Sequence, residues 1–168
     1  MTATDLGERL KFIQLDEAAC TRLRNLRPWL ERELPGILDD FYAHLAGFPE
    51  MAAMFRDESV RRHARDAQLR HWLVIAQARF DSDYVASVRR IGQAHHRLNL
   101  APNWYIGGYA AILTGIQQAI MRALQRRWAR GGDAAGRTAD LAAITKAALL
   151  DMDFAISVYL EEGKREKE

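Results

Sequence analysis

Two adjacent histidines, His95 and His96, lie in the stretch Ser87–Leu100 and face different surroundings if that stretch is helical. Helical neighbours of a residue lie three, four and seven positions away. For His95 these are Val88, Ile91, Gly92 and Leu98, an apolar stripe; for His96 they are Arg89, Gln93, Asn99 and Leu100, a mostly polar set. A neutral imidazole on an apolar wall, with nothing acidic near it in sequence, is the donor that a haem iron takes as axial ligand. A core histidine held by a hydrogen bond would show the same pattern.

Tyr42 has Leu38, Asp39, Leu45 and Ala46 as helical neighbours, which puts it at the edge of an apolar face. A phenol there can turn its hydroxyl into a dry pocket and donate to a diatomic ligand. Dioxygen on ferrous iron carries partial negative charge, so such a donor stabilises it by about 1–2 kcal/mol, up to about 3 if charge-assisted. Carbon monoxide, being less polar, gains less. A core tyrosine whose hydroxyl reaches water is the alternative.

His71 competes with His95. Its neighbours Ala64, Ala67, Gln68, Val74 and Ile75 are largely apolar, and the alanines would let a flat macrocycle lie against this helix. Coordination by His71 as well would block the iron, and a histidine hydrogen-bonded between helices is the preferred reading. His44 and His63 adjoin polar positions and are expected to be exposed.

Other chemistries lack their parts. The five histidines form no His-x-x-x-His or Glu-x-x-His pair, and Asp39 and Asp40 are adjacent and diverge on a helix. Asp151 and Asp153, two apart, are read as lying on different faces. No Gly-x-Ser-x-Gly elbow or phosphate-cradling glycine loop occurs. The single cysteine, Cys20, excludes both an internal disulfide and a Cys-x-x-Cys-His attachment, so a haem would be held without covalent links in a reducing, cytoplasmic setting. No apolar run approaches the roughly 20 residues of a membrane span, and the N-terminus lacks the features of a secretory signal. A net charge of +2 with scattered basic residues argues against nucleic-acid binding; Arg61-Arg62 and Arg126-Arg127 read as solvated faces.

The elements that must position these side chains are helices. Apolar residues make up 49% of the 168 residues and charged ones 27%, enough to bury one domain core, and no strand-like alternation or repeat interrupts the helical periodicity. A short helix is expected over about Leu6 to Phe12. Asp16 caps a second, which Pro28 kinks or divides, and Pro35 is expected in the first turn of another that stops at Gly47. Pro49 opens a short turn ending near Phe55. Helices follow from about Asp57 to Ala78, from Asp81 through His95, from Pro102 to about Arg130, and from about Ala134 to Tyr159 and beyond, with Gly131-Gly132-Asp133 between the last two. About seven or eight unequal helices with short joints indicate an all-α, globin-like packing, a pattern shared with other all-α folds.

In Trp104–Tyr109, Tyr105 and Tyr109 share a face, and Gly107 and Gly108 are expected to permit close approach of a helix or cofactor. The last two long helices carry small and apolar residues in apparent excess: Gly115, Ala119 and Ala123, then Ala143, Ala147, Ala148, Met152, Ala155 and Ile156. That excess suits a dimer interface.

With these residues assembled, the chain resembles the sensor domain of the globin-coupled sensors. The likeness runs from about Arg9-Leu-Lys-Phe-Ile13 to Tyr159. It is carried by Phe41-Tyr-Ala-His-Leu45, Gln68-Leu-Arg-His-Trp72, Ile91–Leu100, Pro102-Asn-Trp-Tyr105 and Leu149-Leu-Asp-Met152. The resemblance implies a globin fold with haem b, His95 as proximal ligand, Tyr42 as the distal donor to dioxygen, and Tyr105 on the proximal side as a reporter of ligand state. It also implies a homodimer joined through the last two long helices. Asn99 stands where the family often has glycine, and asparagine tolerates a left-handed helix end. Ala64, Ala67 and Gln68 are candidates for the pocket wall, with Ile91 and Leu98 from the His95 stripe, and Phe55 is a candidate haem-edge aromatic.

The resulting expectation is a haem-based oxygen sensor domain over residues 1–160, followed by a charged tail, 161–168, as the start of a linker. Ferrous iron would bind His95 and take O2, with CO and NO as further ligands. Ligation would bias two arrangements of the dimer's long helices. Family members pass this to an output: a diguanylate cyclase, a histidine kinase or a chemotaxis transducer. The chain itself is then a sensing module and not an enzyme. Alternatives are a globin enzyme such as a nitric oxide dioxygenase or peroxidase, a nitric oxide sensor or haem carrier, and a haem-free helical interaction domain.

Overall fold

The computed structural model describes residues 3–128 and 134–165 and contains seven helices, with no strand among the described residues. These are α1 (Ala3–Phe12), α2 (Glu17–Leu45), α3 (Pro49–Met54), α4 (Glu58–Ala76), α5 (Ser82–Arg97), α6 (Pro102–Trp128) and α7 (Ala134–Arg165). The joint expected at Gly131-Gly132-Asp133 lies outside the described residues.

Aspartates start three of the helices as local chemistry requires, each accepting from a backbone N–H left free at a helix N-terminus. Asp16 accepts from the Ala19 amide at 2.9 Å, Asp57 from Ser59 at 2.7 Å, and Asp81 from Tyr84 at 3.0 Å. Asn99 ends α5 in the left-handed region, φ 51°, and this lets the chain turn sharply into α6.

Pro35 does not begin a helix. It lies with Pro28 inside one continuous α2, which corrects the expected division. The stripe Leu23, Leu30, Leu34 and Leu38 is fully buried, and each such side chain contributes about 1.5–3 kcal/mol. Together they outweigh a cost of about 3 kcal/mol or more for an interior proline. Arg32 donates to the Pro28 oxygen at 3.1 Å and Arg65 to the Pro35 oxygen at 3.2 Å, whereas the carbonyls that lose an N–H partner to the prolines are those of Arg24 and Glu31.

The last helix sits at the centre, with α2, α4, α5 and α6 packed around it. This placement accounts for the small residues of α6 and α7. Ala119, Ala143, Ala147, Ala148 and Ala155 are at most 3% exposed within the chain itself, and a side chain at Gly115 would meet Ile37 of α2 at 2.8 Å. Those five alanines are core residues, so that part of the excess is used internally, whereas Ala123, Met152 and Ile156 of the same set are half-buried. Among the described residues, the large exposed apolar side chains of these helices are Ile106, Met121, Leu149 and Leu160.

Helix α5 crosses α7 in close contact at Gly92. A Cβ built on Gly92 would lie 2.8 Å from the Val158 Cβ and 2.9 Å from the Ala155 carbonyl oxygen, and a backbone oxygen cannot rotate away. Gly92→Ala is therefore expected to destabilise the protein. Overpacking costs about 1–3 kcal/mol, and the gain in helix propensity returns about 1 kcal/mol of it. Chemical denaturation of the two proteins measures the difference. Of the glycines in the Trp104–Tyr109 segment, a Cβ built on Gly108 would lie 3.4 Å from the Phe41 ring, whereas one on Gly107 would meet nothing within 4 Å, so close approach accounts for only one of them.

Candidate functional site

Helices α2 to α6 enclose a cavity of about 310 Å³. Every site residue expected from sequence lines it: Tyr42 from α2, Phe55 at the end of α3, Ala64, Ala67 and Gln68 from α4, Ile91, His95 and Leu98 from α5 and its cap, and Tyr105 from α6. Residues that the sequence reading did not assign to the pocket complete the wall, notably Met51 and Met54 of α3, Trp72 of α4, and Trp104 and Tyr109 of α6. Trp104 donates its indole N–H to Glu50 at 2.9 Å and packs edge-on to Phe48, tying the start of α6 to the start of α3. His63 is exposed, as expected, and also reaches the cavity edge, while His44 is exposed. His96 stays outside the cavity and packs on Tyr159.

Unpartnered polar atoms are concentrated here. Four buried side-chain polar atoms lack a hydrogen-bond partner among the described residues, and three of them belong to cavity residues: Gln68 Oε1, His71 Nδ1 and His95 Nδ1. Native proteins leave very few such atoms unpaired, and a group of them around one space points to a missing ligand. The Tyr42 hydroxyl adds a fourth polar group. Its side chain is 7% exposed and packed edge-on between Phe41 and Phe55, and the hydroxyl has no protein partner among the described residues. Burial raises the Tyr42 phenol pKa, so it remains a protonated donor throughout the physiological range.

Burial first, and the neighbouring His71 second, lower the His95 pKa from 6.5 to about 4. The ring is therefore neutral at neutral pH, as a metal ligand must be. The Tyr105 ring packs edge-on to it with centroids 4.4 Å apart.

His71 is held between helices, as the sequence suggested. Its Nε2 donates to Asp151 of α7 at 2.7 Å, so the nitrogen by which a haem is usually reached is already committed. Asp151 itself was missed. It is fully buried and also accepts from Tyr84 of α5 at 2.8 Å and from Tyr109 of α6. The expected difference in face from Asp153 holds, since Asp153 is exposed and pairs with Arg9.

These features fit a haem: one neutral imidazole to ligate iron, an apolar wall for the macrocycle, and a phenol donor from another helix. Helix order and pocket define a globin. In the globin domain of a Geobacter sulfurreducens globin-coupled sensor the same fold recurs, with a TM-score of 0.81 over 91% of this chain and 96% of that one, at 19% identity. The Heme-based aerotactic transducer HemAT of Halobacterium salinarum is 25% identical over 162 residues, covering 94% of this chain and 33% of the relative. The chain thus spans about a third of the length of that relative. The sequence pattern of the Protoglobin family matches residues 2–165, and the chain belongs to that family. Membership in this globin family implies haem binding.

Proposed function

We propose that this chain is a haem-b sensor domain that binds dioxygen reversibly, with His95 as the iron ligand and Tyr42 as the hydrogen-bond donor to the gas. The observation that carries this is the cavity's set of unpaired groups, the imidazole of His95 and the hydroxyl of Tyr42, in an otherwise apolar wall. When bound, haem supplies a ferrous iron with an open position for a diatomic ligand. His95 fixes the metal from α5. Ala64, Ala67, Ile91, Leu98 and Phe55 supply apolar lining, and Gln68 places a second polar group in the wall. Tyr105, packed on His95, is positioned to register movement of that ring.

The HemAT relative is by name a heme-based aerotactic transducer, which supports a sensing role over an enzymatic one. The further reading is a homodimer through α6 and α7 that passes ligand state to a diguanylate cyclase, histidine kinase or chemotaxis output, with CO and NO as additional ligands. Among the described residues no helix is long and apolar enough to cross a membrane. Together with the lone Cys20, this supports a cytoplasmic setting.

The first test is the absorption spectrum of the purified protein after haem addition. A Soret band typical of a histidine-ligated haem is expected, and its absence overturns the proposal. A second expectation concerns pH. A proton displaces a metal from an imidazole only at or below the free ring's own pKa. The His95 value of about 4 therefore predicts ligation that is unchanged as pH falls from neutrality through the ordinary histidine range and fails only toward pH 4. Loss of the ligated spectrum already near the ordinary histidine value of 6.5 would contradict the buried setting of His95.

A further inference from the structure

Asp151 is the one residue of α7 whose side chain is bonded to three other helices of the pocket. His71 Nε2 reaches its Oδ2 from α4 at 2.7 Å, Tyr84 reaches Oδ1 from α5 at 2.8 Å, and the Tyr109 hydroxyl donates to Oδ2 from α6. No lysine or arginine bonds to it among the described residues; Arg9 pairs instead with Asp5 and Asp153. Burying a carboxylate costs several kcal/mol unless donors surround it, and replacing such a group with apolar side chains is often neutral or stabilising. Stability alone does not require this node.

Its connections divide into two kinds. Tyr84 lies away from the cavity, whereas His71, Tyr105 and Tyr109 line it. Tyr109 also accepts from the Tyr105 hydroxyl, at 3.4 Å, and Tyr105 packs on His95. A bond at that length is near the limit of hydrogen bonding, so a small displacement of Tyr105 makes or breaks it at little cost. Tyr109 and His71 share one carboxylate oxygen, so a change in the Tyr109 hydroxyl alters the charge that His71 and α7 experience.

We propose that Asp151 is the positioning residue through which occupancy of the cavity is passed to α7, with Tyr105–Tyr109 as the movable arm and Tyr84 as the fixed one. This rests on the haem-sensor reading. The two arrangements required of any coupling element are the made and broken Tyr105–Tyr109 bond.

The test is hydrogen–deuterium exchange of α7 amides in the haem-loaded full chain, with and without saturating carbon monoxide. In the unsubstituted protein, carbon monoxide is expected to change exchange around Asp151 by roughly two- to tenfold, the effect of one hydrogen bond of ordinary strength. Asp151→Asn keeps the shape but removes the charge and leaves one accepting oxygen for the three donors, and is expected to abolish the difference. Tyr84→Phe removes a bond of the same node outside the cavity. It is expected to lower stability and keep the response, which a purely structural role for Asp151 would not distinguish. If Asp151→Asn does not fold, Tyr109→Phe cuts the same link and carries the same expectation. A response that survives Asp151→Asn or Tyr109→Phe overturns the proposal, as does an unsubstituted protein with a normal carbonyl spectrum and no change in α7. An unsubstituted protein with no Soret band overturns the haem reading itself, and this proposal with it.

Discussion

His95→Ala is expected to abolish axial ligation and most haem retention, while His96→Ala keeps both. The two residues are adjacent, of one type and on one helix, so composition and local helix propensity are matched between the variants. They differ in setting: the His95 ring lines the cavity with its Nδ1 buried and unpaired, and His96 packs outside it on Tyr159. Loss of a partner that merely orients a metal ligand typically costs 10–100-fold in affinity, so loss of the ligand itself is expected to exceed roughly 100-fold. Haem titration followed by transfer to an acceptor protein measures it. Because alanine leaves a gap where the ring stood, added imidazole should restore a ligated spectrum in His95→Ala. Equal retention by both variants would show that another residue holds the metal.

Tyr42→Phe is expected to speed dioxygen release by about five- to thirtyfold, the rate equivalent of losing a donor worth about 1–2 kcal/mol. Carbon monoxide release should change much less, because that ligand carries little negative charge. The substitution is unusually clean. The Tyr42 hydroxyl has no protein partner among the described residues, so its removal strands no acceptor, and phenylalanine keeps the edge contacts to Phe41 and Phe55. Flash photolysis or stopped-flow release of each gas separates the two outcomes. Parallel changes for both gases would show that the residue acts through pocket shape alone.

Much of this site was legible in the sequence because a helix makes three- and four-residue spacing a statement about neighbours. That rule placed His95 on an apolar wall, paired Tyr42 with the pocket edge and marked His71 as a bridging histidine. Applied to Asp151, it would have returned Ala147, Ala148, Phe154, Ala155 and Val158, all buried. A carboxylate set among these is as anomalous as the imidazole, but comparison with Asp153 drew attention to the pair and away from the surroundings of each member. The prolines of α2 misled for a different reason. Position preference is local, whereas the leucine stripe that keeps the helix continuous draws its stabilisation from α4, α6 and α7. The small residues of α6 and α7 could not be assigned to an inner or outer face without knowing that α7 occupies the middle of the packing. The methionines of α3 were likewise invisible, since a helix of six residues is too short to show a period.

At Gly92 the backbone of α5 rests directly on the Ala155 carbonyl and the Val158 side chain of α7. A contact of this kind has no cushion: it can slide or pivot, but it cannot be squeezed. Strain applied at His95, one turn further along, is therefore passed to α7 by sliding or pivoting on Ala155 and Val158 rather than by compression.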